Sequence, residues 1–202
     1  MKIGILGSGK GSNFDAIFQA KQSGQIDVDI VLVASDVCDS LILKKSAERG
    51  VAARYIDPGA YKTCLEPAAE KAYVEALRAH GVELVVLAGF MRVIKEPLLG
   101  AYEGRIINIH PSLLPSFRGL RAWEQALNFG VKYAGCTVHF VDRDVDTGPI
   151  ILQAAVPVLD DDTPETLHAR IQVEEHRIYP QAVDLIARKR ITVAGRKVLI
   201  RK

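Results

Sequence analysis

Little in this sequence suits a disulfide scaffold, a membrane or a polyanion. Its 202 residues include only three cysteines, Cys38, Cys64 and Cys136. No two stand in a Cys-x-x-Cys spacing, and an odd, sparse set cannot make a disulfide framework. No apolar run approaches the ~20 residues that a membrane span needs. Glycine arrives at Gly4 and Gly7, too early for the apolar region of an export signal. The formal net charge of +2 gives no bulk reason to bind nucleic acid or an anionic surface. There is no internal repeat, low-complexity tract or linker. These absences predict a soluble cytoplasmic protein with neither a nucleic-acid nor a membrane partner. What is present is 49% hydrophobic and 25% charged, enough apolar material for a sizeable core. The length fits one α/β domain, residues 1–202.

Apolar runs and helical patterns alternate along the first two thirds. Lys2–Leu6, Val28–Ala34, Val51–Ile56, Glu83–Ala88 and Arg105–Ile109 read as strands. Helical patterns fall at Asn13–Gln22, Leu41–Arg49 and residues 66–79, the latter two closed by Gly50 and Gly81. Continuous apolar strands separated by helices predict a Rossmann-like, mostly parallel twisted sheet with helices on both faces. After about residue 130 the pattern changes. Gly135–Val141 and Ile150–Val158 read as two strands joined by a polar loop. A long helix follows from Pro164 with Thr163 as cap, and then a terminal hairpin turning at Ala194-Gly195.

The first strand runs into Gly7-Ser8-Gly9-Lys10-Gly11-Ser12-Asn13, which opens a helix. Small residues let backbone N–H groups converge, and a helix N-terminus adds partial positive charge, so the turn can cradle a phosphate. It is not a P-loop: Gly11 follows Lys10 where a magnesium-holding hydroxyl belongs. Nor is it a full dinucleotide fingerprint, because Ser12 occupies the third glycine position. A tight turn that binds nothing is the alternative.

Ile106-Ile107-Asn108-Ile109-His110-Pro111 delivers an amide and an imidazole from a strand end, at a spacing that points both to one side. In parallel sheets, ligands gather at the carboxyl ends of strands. Asn108 can donate an N–H to a developing oxyanion, and His110 can move a proton near neutral pH. Both could instead simply hydrogen-bond the Pro111–Pro115 loop. Asp146, in the polar loop Asp142–Pro149, could orient His110 or relay a proton, or be an ordinary turn aspartate. His110, Cys136, His139 and Asp146 lack any standard ligand spacing, so no metal is expected. No Gly-x-Ser-x-Gly is present for a serine nucleophile.

Six segments, in order, resemble the phosphoribosylglycinamide formyltransferase family over nearly the whole chain. They are Gly9–Asn13, Leu87–Arg92, Asn108–Pro115, Gly135–Val141, Asp146–Ile151 and Gln172–Pro180. The resemblance implies the formyltransferase fold. It also implies transfer of a formyl group from 10-formyltetrahydrofolate, as co-substrate, to the amine of a small phosphoribosyl compound in purine biosynthesis. It makes Asn108, His110 and Asp146 the catalytic set, with no metal. It places the substrate phosphate on Gly11, Ser12 and Asn13, and the phosphoribose on Gln172 and Glu175, which the helical period puts on one face apart from Leu167 and Ile171. For folate it implies Met91, Arg92, Val93 and Ile94, together with Asn108, Val141 and Asp142. Leu87, Ile106 and Val141 are the expected pterin walls, and Arg92 a partner for the glutamyl tail. The chain departs from the pattern at Cys64, near the family's usual tail arginine, where Lys62 is the available cation.

Two related activities fit less well. A formyltetrahydrofolate hydrolase is expected to carry a regulatory domain before the first strand, which here begins at residue 2. A formyltransferase acting on another amine fits less well too: one for transfer RNA is expected to need a second domain and a basic tract, and one for a sugar nucleotide suits the Gly11-Ser12-Asn13 turn less than a monophosphorylated substrate does. A non-enzymatic phosphate-binding module leaves the trio without a purpose. The resemblance leaves open whether the protein is a monomer or a homodimer.

Overall fold

The structure, a computed structural model, describes residues 1–201. The chain divides into two compact units, residues 1–107 and from Asn108 onward.

The first unit runs β1 (Lys2–Leu6), α1 (Ser12–Gln22), β2 (Asp29–Ser35), α2 (Leu41–Glu48), β3 (Ala53–Tyr55), α3 (Pro67–Ala79), β4 (Leu84–Leu87) and α4 (Leu98–Ala101), then begins β5 (Ile106–His110). Its strands lie in the order β3-β2-β1-β4, every pair parallel. Ile3, Ile5, Leu6, Val85 and Val86 are fully or almost fully buried, as the unbroken apolar runs require of strands covered on both faces. The short α4 has no counterpart in the sequence reading. It is held by Glu70, whose buried carboxylate accepts from the N–H of Lys95 (2.8 Å) and of Leu98 (3.1 Å).

The second unit completes β5 and continues with α5 (Ala122–Phe129), β6 (Tyr133–Phe140), β7 (Ile150–Pro157), α6 (Pro164–Ala187), β8 (Ile191–Ala194) and β9 (Lys197–Ile200). Strands β6 and β7 pair antiparallel from Tyr133↔Pro157 to His139↔Ile150, with a register shift between Val138 and His139. That irregularity falls where β6 delivers a histidine. Helix α6 packs on β6 and β7 through Leu167, Ile171 and Ile178. Thr163 and Thr166 form a reciprocal capping box at its start, and Pro164 occupies the first turn. The terminal hairpin β8–β9 turns at Gly195-Arg196, one residue later than the sequence suggests.

The α/β architecture with a mostly parallel sheet is therefore present, and β6–β7 and β8–β9 pair antiparallel. Among the described residues no helix is long and apolar enough to cross a membrane.

Candidate active site

Strand β5 ends by projecting Asn108 and His110, and the β6–β7 loop brings Asp146 to them. Nδ1 of His110 lies 3.2 Å from Oδ2 of Asp146, with both side chains over nine-tenths buried. Nε2 of His110 donates to the carbonyl of Phe117 at 2.9 Å. A carbonyl only accepts, so that nitrogen carries a proton. The Nδ1–Asp146 contact is then a hydrogen bond only when a second proton lies between the two groups. Burial lowers the pKa of His110, the charge of Asp146 and the Phe117 carbonyl pull it upward, and His139 lowers it again; the net direction is down. Burial alone raises the pKa of Asp146, but contact with His139, the charge of His110 and the N–H of Gly119 at 2.9 Å outweigh it, and the net direction is down.

His139 completes the cluster and was considered from sequence only as a metal ligand. It is 2% exposed. Its Nδ1 donates to the Phe140 carbonyl at 2.7 Å, which turns Nε2 toward Asn108 and Asp146. That Nε2 accepts from the Asn108 amide at 3.3 Å and lies 3.6 Å from Oδ1 of Asp146. The ring thus orients the Asn108 NH2 group and leaves its second N–H for another acceptor. The available sequence signal was a histidine inside an apolar strand, two residues from the buried Thr137.

Backbone conformation supports the cluster. Asp146 (φ 54°) and Phe117 (φ 54°) both occupy the left-handed region. Aspartate tolerates it well and phenylalanine poorly, and such angles persist where the surroundings over-determine them. A Cβ at Gly148 collides with the Phe140 carbonyl, so glycine is required for the loop to lie against the strand end that holds His139. Thr147 braces the loop from within by donating to Asp142 and by contacting the Asp144 carbonyl.

On α6, Gln172 is half-buried and Glu175 is buried. Glu175 falls in line with Ile171 at i, i+4. The separate face drawn from the helical period is therefore corrected: Glu175 lies on the core side, near Cys136, whose thiol burial and the Glu175 charge push up to about 12. Val141 and Asp142 are half-buried at the head of the loop.

In the first unit, Gly11 (φ 73°) caps α1 in the left-handed region, so Ser12 and Asn13 begin the helix. The first N–H groups of any helix lack intrahelical partners. A Cβ at Gly7 meets Ile42 Cδ1 at 2.6 Å and the Ala88 carbonyl at 2.8 Å, and one at Gly11 meets Ile42 Cγ1 at 2.9 Å. These two glycines serve packing. After β4, Met91 is exposed, Val93 half-buried and Ile94 buried. Leu87 and Ile106 are buried core residues. Arg92 is already engaged: its Nε donates to Asp36 Oδ2 (2.7 Å) and Nη1 to the carbonyls of Tyr61 (2.6 Å) and Lys62 (2.8 Å). With Val93 N–H on the Thr63 carbonyl at 2.9 Å, it straps the segment that carries Lys62 and Cys64. Asp36, at the end of β2, has its carboxylate bound to Arg92 and is 6% exposed. It is not presented as the free acid that dinucleotide riboses pair with. Among the described residues no group of three or more His, Cys, Asp or Glu side chains is arranged to hold a metal ion.

The chain matches the formyl transferase family model over residues 1–183. It is 43% identical over 182 residues to phosphoribosylglycinamide formyltransferase of Bacillus subtilis, covering 90% of this chain and 92% of that one. It is 43% identical to the trifunctional purine biosynthetic protein adenosine-3 of Bos taurus, over 92% of this chain but only 18% of that much longer protein. Among solved structures, the glycinamide ribonucleotide transformylase 1 of Symbiobacterium toebii superposes with a TM-score of 0.96 at 51% identity, covering 100% of this chain and 94% of that one.

Proposed function

The chain belongs to the formyl transferase family, and from that premise we propose that it transfers the formyl group of 10-formyltetrahydrofolate to the amine of 5-phosphoribosylglycinamide, in purine biosynthesis. The names of the similar Bacillus and Symbiobacterium proteins support the acceptor and the formyl transfer, and the family resemblance supports the folate donor. The observation that carries the reading is the cluster of Asn108 with the buried side chains of His110 and Asp146, and His139 behind the amide.

The amine lone pair attacks the formyl carbon and the carbonyl electrons move to oxygen. Asn108 presents its second N–H to that oxyanion, beside the His110 ring. The attacking nitrogen loses a proton, the bond to N10 breaks, and N10 takes a proton as tetrahydrofolate leaves. One proton is lost and one is gained, so a shared site between His110 and Asp146 can accept the first and return the second, directly or through water. The donor is already an activated acyl group, so positioning and oxyanion stabilisation supply the acceleration.

Gly11, Ser12 and Asn13 are assigned to the substrate phosphate, supported by their place at the glycine-capped N-terminus of α1. Gln172 and Glu175 are assigned to the phosphoribose. The carboxyl oxygens of Glu175 can accept from hydroxyl groups. Met91–Ile94, Asn108, Val141 and Asp142 are assigned to folate. Arg92 fits less well as a ligand for the glutamyl tail than as a brace, because its Nε and Nη1 donors are taken within the protein. Residues 1–202 are assigned to one formyltransferase domain, since the family match spans both units. A cytoplasmic location accords with three free cysteines among the described residues.

The test is a spectrophotometric assay of the purified protein with 10-formyltetrahydrofolate, with and without glycinamide ribonucleotide. Turnover only with the amine present is expected. Deformylation without the amine moves the assignment to a hydrolase, and no turnover in either rejects this acceptor.

A further inference from the structure

We propose that Lys45, on α2, is a positioning residue that makes the glycine-rich turn selective for a phosphate dianion. The inference rests on the assignment of that turn to the substrate phosphate.

An anion cradle works only if its N–H groups face the ligand and its carbonyls do not. In this turn the N–H groups of Gly7 and Ser8 are taken by the carbonyls of Ala34 (3.1 Å) and Gly89 (3.1 Å), which fixes its base. The carbonyl of Gly9 accepts from the N–H of Ile42 at 3.1 Å. That of Lys10 accepts from Nζ of Lys45 at 2.9 Å. Helix α2 thus draws two successive carbonyls to its own side. A Cβ at Gly9 meets nothing within 4 Å, so no internal packing requires glycine there, and that side of the turn is open to a ligand.

Lys45 performs a second task. Asp15, in the first turn of α1, carries a negative charge close to where the phosphate is assigned. Lys45 Nζ and Arg49 Nη1 each engage one of its carboxylate oxygens. The guanidinium of Arg49 is held 4.8 Å from the centre of the Phe18 ring and 5.1 Å from that of Phe14. The Lys45 and Asp15 side chains are only 31% and 24% exposed, so solvent screens the pair less than on an open surface. Without Lys45, the Lys10 carbonyl is free to turn toward the ligand and Asp15 loses one of the two cations that offset its charge. Both changes weaken a dianion more than a neutral group.

The experiment compares full-length wild type with Lys45→Met. Each is titrated with inorganic phosphate and assayed with the phosphorylated amine and with the same amine lacking its phosphate. Phosphate affinity and the KM for the phosphorylated amine are expected to weaken about tenfold. Meanwhile kcat should stay within about twofold, and KM for the formyl donor and kcat/KM for the unphosphorylated amine should not change. Lys45→Gln, which keeps a donor for the Lys10 carbonyl but not the charge, falls between the two and carries the comparison if Lys45→Met does not fold. An equal loss with both amines assigns Lys45 to the fold and overturns the proposal, as does unaltered phosphate affinity or a wild type that binds no phosphate. A wild type that binds phosphate yet formylates neither amine refutes the reaction assigned above, while the phosphate titration still decides the role of Lys45.

Discussion

The imidazole of His110 and the carboxylate of Asp146 meet at 3.2 Å with both side chains over nine-tenths buried, and the outer nitrogen of the ring is tied to the Phe117 carbonyl. The pair therefore has room for one mobile proton, and removing either member removes the place where that proton rests.

Asp146→Asn and His110→Ala are each expected to lower kcat by about 10²–10⁴-fold, the range for loss of a positioned general acid or base. Asparagine also accepts the left-handed backbone at position 146 (φ 54°), so that variant keeps its fold. Steady-state kinetics beside thermal unfolding checks both halves. Activity within a few-fold of wild type sinks the assigned role.

Acid is expected to destabilise the protein through the same pair. The folded pKa of His110 lies below its ordinary 6.5, so the unfolded chain binds a proton more readily in the interval beneath 6.5, and stability drops as pH falls through it. The folded pKa of Asp146 is also depressed. Its contribution is present above the ordinary 3.8 and is lost as pH falls from there through the folded value. Urea midpoints of wild type should therefore decline from neutrality into acid. His110→Asn should flatten the upper part of that decline, and an unaltered slope would show that His110 does not cause it.

Gly148→Ala forces a methyl group into the Phe140 carbonyl, which is backbone and yields little. The displaced carbonyl is the one that orients the ring of His139. Overpacking of this kind costs about 1–3 kcal/mol. A lower melting temperature and a drop in kcat should appear together. Wild-type kcat in Gly148→Ala would mean that the loop can move without disturbing the catalytic set.

Arg92→Met leaves Asp36 stranded, since its side chain is 3% exposed and Arg92 is its partner. Breaking a buried pair from one side costs roughly 3–5 kcal/mol, toward the lower end here because the Arg92 side chain is 18% exposed. Denaturant unfolding should show that loss, and adding Asp36→Asn should recover part of it by removing the stranded charge. A full-stability Arg92→Met with weakened folate binding would restore Arg92 to the ligand.

The strands of the first unit were legible because burial on both faces leaves an unbroken apolar run, and Gly50 and Gly81 marked where α2 and α3 stop. Strand β3 came out shorter than read, three residues within Val51–Ile56, and α4 had no signal of its own because a distant carboxylate, Glu70, holds it. Spacing and resemblance singled out Asn108, His110 and Asp146, and the structure brings the three together around His139. His139 was missed because its role comes from which atoms face it across the β6–β7 pair, and a linear pattern does not contain that. The misjudged face of Glu175 has a similar cause: helical period places residues relative to one another, but not the cost or benefit of burying a charge.

The left-handed backbone at Asp146 also bears on how such an enzyme decays over generations. Of the residues one base change away from an aspartate codon, asparagine, glycine and histidine accept this conformation most readily. On the role proposed for Asp146, such a replacement leaves a folded chain with little activity, so the amount of folded protein is no measure of its function.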